Sequence, residues 1–394
     1  MNRRKKLENL ASKTISNFSI IPRILQIAHG RVIPEYSSAY SLRCHTLIKN
    51  ENRKLISCGG AIFKDEISGY SEQYRSLLLT GLSFIIGNRS LEIYISRRKY
   101  IRGKYLKRLI ELAALSEIIV FEGPWQFPLV KDMLEDKFIV YDAHNVEYAL
   151  REGNKFQDEC RSIEGELISR ADIVLSVTKR DISLFRDIYD LDESKLYFAP
   201  HVLNMQQVPW NGLNSNHVVF IGSIYGPNIQ ALLKILELAE KFPQLIFDII
   251  GSVRVKKIKK TSNLVLHGTV DDDIKDRIMS NAFLALNPVT EGSGRNVKMV
   301  DYLAHGLPII STHIGIRGFE DYGVYKAVIV CEVDKFASEM EQLLNNRNKV
   351  NKLSQSSSKL YLDIMEAESK YNPEEIILTL YNQKSKNKGQ SVDS

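Results

Sequence analysis

The chain has 394 residues, 44% hydrophobic and 25% charged. That size and balance exclude a single small core and a disordered chain, and they fit two domains of similar size. Its 53 Lys and Arg are offset by 47 Asp and Glu, so the net charge of +6 does not make a polycation.

The N-terminal MNRRKKLENLASKTISNF is charged but lacks the apolar segment of a secretory signal. The longest apolar run, LLLTGLSFIIG at 77–87, falls well short of the roughly 20 residues that cross a bilayer. The expectation is a cytoplasmic protein, with peripheral contact at the inner face of a membrane left open. Cys44, Cys58, Cys160 and Cys331 lie far apart with no CxxC pair, which reads as reduced packing residues and no zinc site.

Apolar, β-branched runs predict strands at 24–28, 55–58, 118–121, 138–141, 173–177 and 196–198, then at 218–221, 246–250, 264–267, 283–286, 309–311 and 327–331. Such continuous runs suit parallel strands buried on both faces. Between them lie helical patterns. Ile229, Leu232, Leu233 and Leu236 follow helical spacing after Pro227, and Pro243 closes the run. The fold class is therefore α/β, with two doubly wound Rossmann-like domains whose ligands sit off the carboxyl ends of the strands. The first domain is set at 1–205 and the second at 217–365, with a linker at 206–216 inside the turn-rich stretch Pro200–Asn216. A helix at 366–384 is expected to cross back to the first domain. Residues 385–394, without apolar periodicity, are expected to be disordered.

Two charged runs have competing readings. SRRKYIRGKYLKRLIELA, 96–113, carries Arg97, Arg98, Lys99, Arg102, Lys104, Lys107 and Arg108. It is either a solvated helix face or a contact for anionic lipid headgroups. No nucleic-acid reader motif accompanies it, so no nucleic-acid partner is expected. Asp271–Asp273 could pass for a metal motif, but acidic residues also favour a helix N-terminus, and a helix from Ile274 is the preferred reading.

The stretch EGSGRNVKMVDYLAHGLPIIST, 291–312, combines a glycine loop, a short helix, a stop signal and a strand. Gly292-Ser293-Gly294 lets the backbone turn and approach a ligand closely, and the following helix directs free N–H groups at an anion. Arg295 is expected at the helix start, with Lys298, Asp301 and His305 on one face. Gly306 and Pro308 end the helix.

The run from Asn287 to Gly318 resembles the donor-binding signature of the retaining glycosyltransferases of family 4, which have the GT-B fold. VVFIGSIYGPNIQALL (218–233), FIVYDAHNVEYAL (138–150) and SRADIVLSVTKRDISLF (169–185) resemble three further stretches of that family in the same order, and together they cover about half the chain. The resemblance implies a metal-independent enzyme that moves a sugar from a nucleoside diphosphate to a glycan or lipid-linked acceptor in polysaccharide or glycoconjugate synthesis. The nucleotide sugar is its substrate, and no cofactor is implied. By resemblance, Asp301 holds the ribose hydroxyls and Glu291 lies near the transferred sugar, although the two are spaced more widely than in the family's commoner form. Lys298, Arg295 and the N–H groups after Gly294 neutralise the diphosphate, and Gly292, Ser293, Gly294, Asn296 and Val297 count among the donor-binding residues. Val270 belongs to the nucleobase loop, Gly222 and Ser223 to the first donor loop, and His144 faces the donor sugar. Glu291, His144 and Lys298 form the expected catalytic set.

One departure stands out: where many members of the family carry Arg and Lys after the first donor-domain strand, this chain has Gly222-Ser223-Ile224-Tyr225 and Asn228. Lys298 or another cation such as Arg254 must then carry the charge. The alternative is a catalytically degraded relative that serves as a binding or partner subunit.

Overall fold

The computed structural model describes residues 22–33, 38–58, 66–74, 79, 81–82, 85, 88–101, 103–201, 205–254 and 262–392. Their strands form two sheets. The first contains β1 (Ile24–Ala28), β2 (Arg53–Cys58), β3 (Glu66–Ser68), β4 (Ser71–Tyr74), β5 (Ile118–Phe121), β6 (Phe138–Ala143), β7 (Ile173–Ser176) and β8 (Leu196–Phe198), in the order β3-β4-β2-β1-β5-β6-β7-β8. β1 lies parallel between β2 and β5, β4 is parallel to β2 and β6 to β5, and β3 pairs with β4 antiparallel. β1, β5 and β6 are buried throughout, as the continuous apolar runs require.

The second sheet contains β9 (His217–Ile221), β10 (Ile246–Ile250), β11 (Leu264–Gly268), β12 (Leu284–Asn287), β13 (Ile309–Ser311) and β14 (Val328–Val330), ordered β11-β10-β9-β12-β13-β14. All of its pairings are parallel. This is the doubly wound order of dinucleotide-binding sheets, whose direction of winding reverses between β9 and β12. The carboxyl ends of those two strands are therefore where a ligand is expected.

The helix Gly226–Lys241 starts with Pro227 in its first turn and ends at Phe242, before Pro243. Its buried face is Ala231, Leu232, Ile235, Leu238 and Ala239, whereas Leu233 is 36% exposed. The expected stripe was thus rotated. Of the expected positions Ile229, Leu232, Leu233 and Leu236 only Leu232 is fully buried, and the buried face takes in the small side chains of Ala231 and Ala239 instead. The helix Asp272–Ser280 follows Asp271 at its N-cap, so the acidic run serves a helix start.

By its packing the chain divides into two compact units. One holds the described residues up to Asp142, Ser162–Val174 and those from Glu374 on; the other holds Ala143–Arg161 and Leu175–Pro373. The division differs from the boundaries drawn on the sequence, since Ala143–Arg161 and Leu175–His201 group with the second sheet. The stretch expected as a linker is also fixed in place. Trp210 donates from Nε1 to the Ala282 carbonyl at 2.8 Å, and Asn211 N donates to Ser280 O at 2.8 Å. The tail expected to be disordered is helical as far as Val392, in the helix Pro373–Val392. Glu374 and Glu375 favour its start, and no proline interrupts it.

None of the four cysteines is in a disulfide, and three of them are buried. Among the described residues no helix is long and apolar enough to cross a membrane.

Candidate functional site

Two loops leave the carboxyl ends of β9 and β12. Tyr302, on the helix Lys298–Ala304, ties the strand ends together: its hydroxyl accepts from Ile221 N at 3.0 Å and donates to Leu286 O at 3.4 Å. After β9, Gly222 N donates to Ile250 O at 2.9 Å, and a Cβ on Gly222 would lie 2.9 Å from the Phe220 ring. Ser223 is exposed, and its carbonyl accepts from Asn228 Nδ2 at 3.2 Å.

The loop after β12 turns through Gly292 (φ 132) and Gly294 (φ 63), conformations that favour glycine. It is held from the segment after β13. Asn296 Nδ2 donates to Gly315 O at 2.7 Å, Asn296 N donates to Arg317 O at 3.1 Å, and Asn287 Nδ2 reaches the same Gly315 carbonyl at 2.8 Å. Gly294 also lies hard against the 144–145 segment, where a Cβ would collide with the His144 carbonyl. Ser293 Oγ donates to Asn145 Oδ1 at 2.7 Å. The structure therefore brings Gly292, Ser293, Gly294, His144 and Asn145 together. The His144 ring lies 6.5 Å, centroid to centroid, from that of His201.

Lys298 opens the short helix. Its Nζ donates to Asn228 Oδ1 at 2.8 Å and sits 4.3 Å from the centre of the Phe220 ring. Among the described residues it forms no ion pair. Burial, reinforced by nearby Arg317, lowers its ammonium to about 7. Asp301, one turn on, faces Lys275 Nζ at 3.2 Å. Burial raises the pKa of Asp301, and Lys275 opposes that shift. His305 is a structural group, with Nδ1 2.7 Å from Asp301 O and Nε2 3.0 Å from Asp276 Oδ1. Glu291 is exposed and makes no ion pair among the described residues. Val297 precedes the helix as its N-cap, and Val270 follows β11, on the far side of β10 from β9.

Arg295 departs from its expected place. The helix begins three residues later, and the Arg295 side chain, 1% exposed, pairs with Glu368 at 2.8 Å while its guanidinium covers the Phe319 ring at 4.5 Å. Its charge is spent on holding the loop to the helix Arg347–Glu368. Arg254 is exposed beyond β10. The cation that sequence reasoning passed over is Arg317. Its Nε donates to Ser293 O at 3.0 Å and its Nη1 to Ile314 O at 2.8 Å. Nothing in THIGIRG marks it, because no helical face or spacing links it to the glycine loop.

The site thus offers a close-approach backbone turn, a cation without a carboxylate partner, and a carboxylate on the same helix. Together these suit an anionic ligand that also carries hydroxyl groups.

Residues 215–346 match the model of the family described as glycosyl transferases group 1. No curated protein is similar to the chain in sequence. Among solved structures, HepE of Anabaena in complex with UDP-glucose superposes with a TM-score of 0.63 at 10% identity, over 93% of this chain and 99% of that one. Sucrose-phosphate synthase from Thermosynechococcus elongatus gives 0.63 at 10% identity, over 93% and 100%. WaaG, a glycosyltransferase involved in lipopolysaccharide biosynthesis, gives 0.57 at 11% identity, over 91% and 98%. At such identities the likeness is one of fold, and the fold is GT-B.

Proposed function

We propose that this chain, whose residues 215–346 match the model of the group 1 glycosyltransferases, transfers a sugar from a nucleoside diphosphate to a hydroxyl of a glycan or lipid-linked acceptor, with retention and without a metal ion. The observation that carries the reading is the glycine loop at the carboxyl end of β12, followed by a lysine whose ammonium has no carboxylate partner among the described residues. In the reaction the bond from the sugar's anomeric carbon to the β-phosphate oxygen breaks, and a bond to the acceptor oxygen forms. The acceptor proton leaves with the diphosphate or to solvent.

Lys298 and the loop N–H groups are assigned to the departing diphosphate, in the role a metal ion plays elsewhere. Asp301 is assigned to the ribose hydroxyls, Glu291 and His144 to the transferred sugar. Retention rests on the family resemblance alone. UDP is the first carrier to test, because HepE, of the same fold, is described with UDP-glucose. A degraded binding subunit is the second reading, and exposed Ser223, in place of the expected basic pair, is what favours it.

A thermal-shift series with UDP, GDP, ADP and dTDP tests the donor site, since a ligand of the folded state alone raises stability by mass action, about 2.7 kcal/mol at a hundred times its Kd. Asp301→Asn should weaken binding of the active diphosphate roughly 10- to 100-fold, as loss of charged hydrogen bonds predicts, with the fold intact. Parental affinity in that variant would refute the ribose assignment. Binding by the parent without sugar transfer or nucleotide release, across donors and acceptors, would favour the second reading.

The same proposal places the enzyme at an anionic membrane surface, with a smaller charge than the sequence suggested. Arg108 holds Glu72 through both its Nε and Nη2, at 2.9–3.2 Å, and Arg98 Nη2 donates to Leu129 O. Arg102 lies outside the described residues. Lys99, Lys104 and Lys107 remain exposed, and each contributes about 1 kcal/mol near an anionic leaflet. Replacing these three by serine should lower binding to phosphatidylserine vesicles at low salt by roughly 150-fold. Unchanged vesicle binding would make the segment a solvated surface.

A further inference from the structure

Arg317 stands on the turn after β13, within the unit built on the second sheet, and its side chain reaches the glycine loop. Its guanidinium donates to two backbone carbonyls, Ser293 O from Nε and Ile314 O from Nη1. A Cβ on Gly292 would lie 2.9 Å from Nη2, so the second terminal nitrogen lies on the side of the loop left open by the missing side chain. Among the described residues no carboxylate lies within ion-pair distance of it. Burial lowers its pKa, Tyr225, Asp181 and Glu320 oppose that shift and Arg180 adds to it; Asp181 is itself pushed up to about 6 by burial. The other arginine of this stretch, Arg295, is consumed by Glu368.

We propose that Arg317 is a positioning residue of the donor site, which sets the glycine loop through Ser293 and supplies, from beside Gly292, the positive charge that the segment after β9 lacks. This rests on the donor-site reading above. A guanidinium suits the task because its fixed fork can bind two carbonyls and keep a further N–H group and its full charge free. The arrangement also explains why Gly292 must lack a side chain: a methyl group there would displace the fork from the loop. Arg317 and Lys298 then form a pair of like charges that an incoming diphosphate relieves. The pair occupies the role given by resemblance to the basic residues missing at Ser223–Asn228.

The test compares affinities for UDP, GDP, ADP and dTDP, and for the corresponding monophosphates, in the parent, Arg317→Gln and Arg317→Lys. Each is measured from pH 7 to 10, above the titration of Asp181. In Arg317→Gln we expect diphosphate affinity to fall about tenfold and monophosphate affinity by less than threefold, since charge is felt most by the more highly charged ligand. The pH at which diphosphate affinity begins to decline should also move upward, because Lys298 loses its like-charged neighbour. Arg317→Lys should keep the parental pH dependence and much of the affinity. Equal losses for mono- and diphosphates with no movement of the pH limb would mean that Arg317 only braces the loop, and the proposal would fail. Parental affinities in folded Arg317→Gln would overturn it outright. A parent that binds none of the diphosphates would remove the donor-site reading itself, and this proposal with it.

Discussion

Lys298→Ala is expected to lower turnover by roughly 30- to 1,000-fold, a loss on the order of 2–4 kcal/mol of transition-state stabilisation, as for removal of one preorganised donor to a developing oxyanion. Affinity for the free diphosphate should fall by a smaller factor. As the glycosidic bond lengthens, negative charge gathers on the departing β-phosphate oxygen, so a fixed ammonium acts more strongly on the transition state than on the bound ground state. The alanine variant leaves Asn228 and the Phe220 ring without their cation, and both are near the surface loop after β9. The measurement is turnover and diphosphate affinity for the same preparation. Equal losses in the two would make Lys298 a binding residue only, and parental turnover would remove it from the site.

The pH dependence of the same group has a definite sign. The ammonium titrates at about 7 in the folded protein because burial, aided by Arg317, disfavours the charged form. An unfolded lysine titrates near 10.4, so between about pH 7 and 10 the unfolded chain binds more protons here, and this group makes the ligand-free protein more stable as pH rises through that window. Diphosphate binding runs the other way. The ligand favours the charged form, so affinity should be highest below about pH 7 and decline as pH rises through the pKa of free Lys298.

Much of this was legible in the sequence because buried parallel strands write themselves as apolar runs. HVVFI, IFDII and IIVF leave few other structures open, and the glycine loop lies at the end of such a strand. β3 and β4 were missed. EIS and SEQY are short and polar, and their strand character comes from pairing with each other and with β2, which no local pattern reports. The two arginines of the signature show the same limit at the site. Arg295 looked functional because it follows the loop, yet its partner Glu368 is 73 residues away. Arg317 looked incidental, yet it donates to the carbonyl of Ser293 within the loop, 24 residues away. Which of two like residues is spent on a buried pair is a matter of tertiary contact, and spacing along the chain does not encode it. The helical tail was hidden for a related reason: KSKNKGQS has no apolar face to announce a helix, but it continues one that began at Pro373.

Asp142→Ala is expected to cost roughly 3–5 kcal/mol, the largest stability effect of any single change considered, because it takes the bidentate carboxylate away from a buried guanidinium. Arg43, on the helix Ala39–Thr46, donates from Nε to Asp142 Oδ2 at 2.9 Å and from Nη2 to Oδ1 at 2.7 Å. Both side chains are fully buried, within the unit built on the first sheet. Burial opposes the guanidinium's charge, and the Asp142 carboxylate more than restores it. Such a pair is costly to assemble and far more costly to break, since the remaining partner retains its desolvation penalty and loses the attraction that offset it. Global stability is commonly about 5–15 kcal/mol, so the variant should unfold at much lower denaturant, if it accumulates at all. The double variant Arg43→Met with Asp142→Leu separates the pair's net contribution from the penalty of losing one partner. It should recover most of the loss, because apolar groups of similar size replace both charges. The check is the denaturation midpoint of the parent, the two single variants and the double variant, read as a cycle. A double variant as unstable as Asp142→Ala would show that the pair itself, and not the penalty of losing one partner, supplies the stability at this position.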